Sequence, residues 1–160
     1  MQCALFIGRF QPFHKGHLHV VKNMSKKFDE IIIGIGSSQE KNTSANPFSY
    51  NERKVMITKT LNNNKINNFK IYPIPDLYDD VKWTKYIIKN LPKFDVAYSG
   101  NEWTLRCFKK HKIRAKKIKL LKGIYSTKIR EIMIKSKKWR KFVPKEVVDY
   151  IEKISAPKRI

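Results

Sequence analysis

Cys3-Ala4-Leu5-Phe6-Ile7-Gly8-Arg9-Phe10-Gln11-Pro12-Phe13-His14-Lys15-Gly16-His17 runs almost from the first residue. It reads as a buried strand, a glycine, and a loop that leads into a helix. His14 and His17 stand at i and i+3, so a helix starting here carries both on one face of its first turn. The free backbone N–H groups of a helix start attract anions, and two imidazoles beside them add donors aimed at the same point. Gly8 lets phosphate approach the backbone, and Gly16 leaves room for ligand where a side chain would block it. Single histidines more often cap helices or pack in cores. A glycine, an arginine and a second histidine in register favour phosphate chemistry instead.

The strand-then-helix pattern repeats along the chain. Further strands are expected at 31–35, at Lys70-Ile71-Tyr72, at 95–98 and at Ile118-Lys119-Leu120. Between them, Leu18, Val21, Met24 and Phe28 keep helical spacing. Ser49-Tyr50-Asn51-Glu52 has the form of a capping box. Asp79 or Asp80 is expected to cap a helix bearing Trp83, Ile87 and Leu91, and Asn101 one bearing Leu105 and Phe108. Ser126 opens another, and Pro144 suits the first turn of the last. The Asn-rich stretch 61–68 reads as a polar surface loop. Alternation of this kind predicts one doubly wound α/β domain over 1–154, followed by a short mobile tail at 155–160 that contains Pro157. Ligands of such sheets bind at the carboxyl ends of the strands.

Composition narrows the class. The 160 residues are 41% hydrophobic and 30% charged, enough for one core and a soluble surface. No apolar run approaches the roughly 20 residues that span a bilayer, and no signal-peptide pattern opens the chain. Cys3 and Cys107 form neither a disulfide framework nor a zinc pattern, so a reduced, cytoplasmic protein is expected. The formal charge is +22, from 35 basic and 13 acidic residues. Between Lys109 and Lys141 fifteen cations face one acid, Glu131. Such a field attracts nucleotides or nucleic acid, or it is simply a lysine-rich surface. No recognisable nucleic-acid motif accompanies it, so a nucleic-acid-binding module is the weaker reading. His19 and His111 are the remaining histidines, and without an acidic cluster near them no protein metal site is expected.

The second diagnostic segment is Ile124-Tyr125-Ser126-Thr127-Lys128-Ile129-Arg130. Hydroxyls and N–H groups at a helix start suit a triphosphate, and Arg130 one turn on suits a bidentate contact with it. The string His14-Lys15-Gly16-His17 resembles the His-x-Gly-His signature of the nucleotidylyltransferase superfamily. Gly8 to His17 as a whole resembles the archaeal-type nicotinamide-nucleotide adenylyltransferases. Gly36-Ser37-Ser38-Gln39, Asn46-Pro47-Phe48 with Glu52-Arg53, Pro73-Ile74-Pro75-Asp76, Trp83 and Tyr98-Ser99-Gly100-Asn101 are similar to further stretches of that family. Departures are Tyr125 for a serine, Asp80 for an asparagine and Ala45 for a polar or charged residue.

The resemblance implies a Rossmann-like fold with a five-stranded parallel sheet. It also implies adenylyl transfer from ATP to nicotinamide mononucleotide, giving NAD and pyrophosphate. It implies catalytic roles for His14, His17, Arg9 and Arg130. Gly8, Phe10, Gly16, Ser126, Thr127, Gly100 and Asn101 would contact ATP. Ser37, Ser38, Gln39, Asp80 and Trp83 would contact the mononucleotide, Trp83 by stacking on its ring. Because Asp80 departs from the family's asparagine, its carboxylate is separately expected to accept from the amide and to repel the carboxylate of nicotinic acid mononucleotide. Mg²⁺ would ride on the ATP phosphates and water, and members of the family commonly assemble as homo-oligomers. The alternatives within the superfamily are phosphopantetheine or flavin mononucleotide as acceptor.

Overall fold

The computed structural model describes residues 1–155. Apart from Ser155, the expected tail lies outside the described residues. The elements alternate as β1 (Cys3–Gly8), α1 (Lys15–Ser25), β2 (Glu30–Ile35), α2 (Tyr50–Asn63), β3 (Phe69–Pro73) and α3 (Asp80–Asn90). They continue as β4 (Val96–Ser99), α4 (Glu102–Lys110), β5 (Ala115–Lys117), α5 (Ser126–Lys135), a 3-10 segment (Lys137–Phe142) and α6 (Lys145–Lys153). All strands are parallel, in the order β3-β2-β1-β4-β5. The order reverses between β1 and β4, and there the loops at the strands' carboxyl ends diverge to leave a crevice.

Alternation along the central strands sends side chains to opposite layers. Phe6 of β1 and Ile31, Ile33 and Ile35 of β2 pack under α1, α2, α5 and α6. Leu5 and Ile7 of β1 and Ile32 of β2 pack under α3 and α4. All are buried at 5% exposure or less, and each is worth about 1.5–3 kcal/mol relative to exposure. Among the described residues no helix is long and apolar enough to cross a membrane.

Caps fall where side-chain chemistry calls for them. Ser49 and Glu52 form the reciprocal box at α2, Asp79 caps α3 through the Lys82 N–H (2.8 Å), and Asn101 caps α4 through the Thr104 N–H (3.0 Å). Three expectations are corrected. The fifth strand is Ala115–Lys117, not 118–120. Its lysines are exposed and guard a free sheet edge, while Ile118 and Leu120 turn off the sheet and pack on the α1-side core. The stretch 61–68 is not a simple surface loop, because α2 runs to Asn63 and both Leu61 and Ile66 are buried. Pro144 sits at the N-cap of α6 rather than inside its first turn.

Candidate active site

The loop after β1 is held from several sides. The Gln11 side chain donates to the Phe48 carbonyl (2.8 Å) and accepts from the Phe48 N–H (3.0 Å). The Gln11–Pro12 peptide is cis. Phe10 has a positive φ of 52° and folds its ring inward, edge-on to Phe6 (5.3 Å) and to His17 (4.8 Å). A Cβ at residue 8 would lie 3.0 Å from that ring, so Gly8 makes room for Phe10. Any contact of Phe10 with ATP therefore falls to its backbone. At 1% exposure its side chain is a buttress behind His17.

His14 is the N-cap of α1, and the two histidines cap each other. The His17 N–H donates to His14 Nδ1 and the His14 N–H donates to His17 Nδ1, both at 3.3 Å. The rings stack with centroids 3.5 Å apart. Each Nδ1 is therefore an acceptor, which puts the proton of each neutral ring on Nε2. Neither Nε2 bonds anything within the described residues. No buried side-chain nitrogen or oxygen there lacks a partner, so neither Nε2 is fully sealed from solvent, although His14 and His17 are only 1% and 7% exposed. A Cβ at residue 16 would sit 3.0 Å from the His14 ring and 3.4 Å from Leu120. A side chain at residue 16 would therefore crowd the His14 ring.

Burial lowers the His14 pKa from 6.5 to about 4, and burial together with His14 lowers that of His17 well below its ordinary value. Both rings are neutral at pH 7. An unfolded chain takes up a proton at residue 14 below pH 6.5 while the folded chain does not, so stability falls as pH drops from 6.5 toward 4. The His14 displacement alone corresponds to roughly 3 kcal/mol at the acid end. His14→Asn retains a capping side chain and removes this titration. Urea unfolding at pH 7 and at pH 4.5 should show a smaller acid loss for the variant than for the parent.

Three guanidinium groups gather around the same loop. Arg9 is exposed, with Nη1 3.4 Å from Asn46 Oδ1. Arg130 on α5 donates to the Gln11 carbonyl (2.8 Å) and reaches Thr127 Oγ1 (3.4 Å). Arg53 on α2 is fully buried and donates to the carbonyls of Arg9 (2.8 Å), Gly36 (2.7 Å), Ser37 (3.0 Å) and Ser49 (3.2 Å). It pins the loop after β1 to the loop after β2. Burial, then the charge of Arg9, lowers Arg53 to about 10 and lowers Arg130 as well. Arg53→Met strands several buried carbonyls at once and is expected to cost about 3 kcal/mol, read as a fall in Tm.

The N-terminus of α5 abuts this loop, with Ser126 Oγ donating to the Pro12 carbonyl (3.3 Å). Tyr125, its N-cap, makes no side-chain cap bond, so the first-turn N–H groups at Ser126, Thr127 and Lys128 are open to an anion. Gly100 and Asn101 follow β4, whose last residue pairs with Ile7 of β1, although the Asn101 side-chain oxygen is engaged in capping α4. His14, His17, Arg9, Arg130, Ser126 and Thr127 are thus brought around one loop at the reversal of strand order.

The residues expected around the mononucleotide divide. Ser37, at a positive φ of 47°, Ser38 and Gln39 follow β2. Gln39 is bonded to Asp76 in both directions: its amide donates to the carboxylate (3.3 Å), and its carbonyl accepts from the Asp76 N–H (3.1 Å). Trp83 lines a cavity of about 330 Å³ with Asp76, Leu77, Tyr78 and Trp103. Asp80 does not line it. Its carboxylate is paired with Lys110 at 2.6 Å, which holds its carboxyl below the usual range. An amide accepted at Asp80 would share its carboxylate with Lys110. Arg53 appeared in the sequence only inside a matching stretch, and nothing local marks a guanidinium for burial. Trp103 had one available signal, an aromatic two residues past a capping asparagine at a strand end.

Residues 5–132 match the family model described as cytidylyltransferase-like. The nicotinamide-nucleotide adenylyltransferase of Methanococcus maripaludis is 45% identical over 98% of this chain and 92% of that protein. The protein of the same name from Thermoplasma acidophilum is 42% identical, over 98% and 89%. Among solved structures, a bifunctional NMN adenylyltransferase/ADP ribose pyrophosphatase from Francisella tularensis, complexed with AMP and a manganese ion, superposes with a TM-score of 0.78 at 23% identity. The match covers 98% of this chain and about half, 51%, of that one.

Proposed function

The chain belongs to the cytidylyltransferase-like family and, within it, to the archaeal-type nicotinamide-nucleotide adenylyltransferases, and from that membership we propose that it transfers the adenylyl group of ATP to nicotinamide mononucleotide. The products are NAD and pyrophosphate. The observation that carries the reading is the reciprocal His14–His17 cap, which engages both Nδ1 atoms and leaves both Nε2–H groups without a partner among the described residues, at the end of the loop that carries Arg9 and is contacted by Arg130 and by Ser126 of α5.

The chemistry asks little of the protein beyond placement. The attacking 5′-phosphate is largely a dianion at neutral pH, its second pKa being about 6, so no general base is needed. It displaces pyrophosphate from the α-phosphorus in line. The Nε2–H groups of His14 and His17 donate to the oxygens around that phosphorus as charge shifts onto them. Arg9 and Arg130 bind the β- and γ-phosphates, joined by the α5 N–H groups. The substrate is ATP as its magnesium complex. The residues gathered here offer imidazole, guanidinium and N–H donors that suit phosphate oxygens, so a magnesium ion would be held mainly through those phosphates and water and would offset their charge.

A panel assay tests the acceptor. With MgATP at saturation, kcat/KM for nicotinamide mononucleotide should exceed that for flavin mononucleotide or phosphopantetheine by several orders of magnitude. Equal or greater efficiency with either of those would overturn the assignment.

A further inference from the structure

Of the three guanidinium groups at the loop after β1, two are built in. Arg53 is tied to four backbone carbonyls, and Arg130 to the Gln11 carbonyl and the Thr127 hydroxyl. Arg9 is exposed, and its side chain donates to no backbone carbonyl among the described residues. Like charge presses on it too, since Arg9 is among the causes that lower both Arg53 and Arg130. A long exposed side chain in such a field has many rotamers, and ordering it at the moment of binding costs affinity.

Its path is nonetheless marked at two points. The stem passes the end of β2, where a Cβ built at residue 36 would lie 3.9 Å from Arg9 Cγ. The head reaches the loop after β2, where Nη1 stands 3.4 Å from Asn46 Oδ1. Asn46 is itself fixed through its backbone. Its N–H donates to Thr43 Oγ1 (3.0 Å), and its carbonyl accepts from the Thr43 N–H (3.2 Å). Two residues on, Phe48 is buried and bonded in both directions to Gln11. Arg9 to Asn46 and Gln11 to Phe48 are therefore two rungs between the same two loops, each joining residues 37 apart in the chain. The buried rung fixes the register of the exposed one.

Resting on the adenylyl-transfer reading above, we propose that Asn46 is a positioning residue for Arg9. Its side-chain oxygen engages Nη1 and leaves the other guanidinium donors for the phosphates of ATP. A guanidinium carries five N–H donors in one rigid plane, so fixing one nitrogen orients the rest. A group aimed before the substrate arrives binds phosphate with less ordering left to do.

The test is a double-mutant cycle on the full chain, with the parent, N46A, R9A and the double variant, and with N46D as the conservative control. Alanine at residue 46 leaves the backbone bonds with Thr43 and the Gln11–Phe48 rung in place, so the loop keeps its path. N46A should lower kcat/KM for ATP about fivefold and leave KM for the mononucleotide unchanged. In the R9A background the same substitution should change kcat/KM by less than about twofold, because the residue it acts through is gone. N46D keeps an acceptor oxygen at the same reach and should stay within about twofold of the parent. An unchanged kcat/KM for ATP in N46A overturns the inference. So does a loss that persists in full in the R9A background, which would mark an independent role, and so does an equal loss in N46D. Calorimetric Kd for MgATP in the same proteins keeps the two readings apart. No NAD formed by the parent removes the reaction, and the cycle in Kd still tests Asn46. NAD formed with additive effects at Asn46 and Arg9 removes the positioning role and leaves the reaction.

Discussion

His17→Ala is expected to lower kcat by about 10²–10³, the cost of removing one preorganised donor from a developing oxyanion. The loss should fall on kcat more than on KM for either substrate, because the Nε2–H bond strengthens as charge moves onto the α-phosphate oxygens. The fold survives the change. The His17 N–H still donates to His14 Nδ1, so α1 keeps its cap, and only the reverse bond from the His14 N–H is lost. Circular dichroism should therefore show a folded protein with a lower Tm. Near-native turnover in the folded variant would remove His17 from the chemistry.

Arg130→Ala should be nearly as severe, lowering kcat/KM for ATP by about two orders of magnitude. The residue is 8% exposed and its guanidinium is anchored to the Gln11 carbonyl, so its remaining donors are held in place rather than searching for the phosphates. A fixed fork that meets two phosphate oxygens is worth more than a mobile charge. Arg130→Lys separates the two contributions. It keeps a positive charge beside Arg9 but gives up the planar geometry, and it should recover no more than about a tenth of the lost efficiency. Steady-state kinetics over a range of ATP concentrations checks both variants. A lysine variant equal to the parent would mean that charge alone is used.

Much of this site was legible because it is written in short segments. His14 to His17 carries its own capping geometry, and the spacing of the two residues is enough to put both rings on one turn. Ser49, Asp79 and Asn101 declare helix starts through side chains that reach an N–H three residues on. Four of the five strands lie within a residue or two of where their apolar runs put them. The fifth does not, because Ile118 and Leu120 are apolar for the sake of the core beside α1, while the strand itself is an edge with outward lysines.

What escaped the sequence depends on distant partners. Arg53 is an ordinary helical arginine until the carbonyl of Arg9, 44 residues away, closes over it. Asp80 is a free carboxylate until Lys110, 30 residues on, takes it. Gly8 and Gly16 are correctly glycine for a reason the pattern does not state. Side chains of the loop itself, Phe10 and His14, occupy the space that a Cβ would need.

The central claim is that this edge of the sheet joins ATP to nicotinamide mononucleotide. A ³¹P NMR time course of the protein with magnesium, ATP and the mononucleotide tests it without coupling enzymes. Signals of the NAD diphosphate and of pyrophosphate should rise together in equal amounts as those of ATP and the mononucleotide fall. Inorganic phosphate and ADP accumulating without NAD, or no change at all, would contradict it.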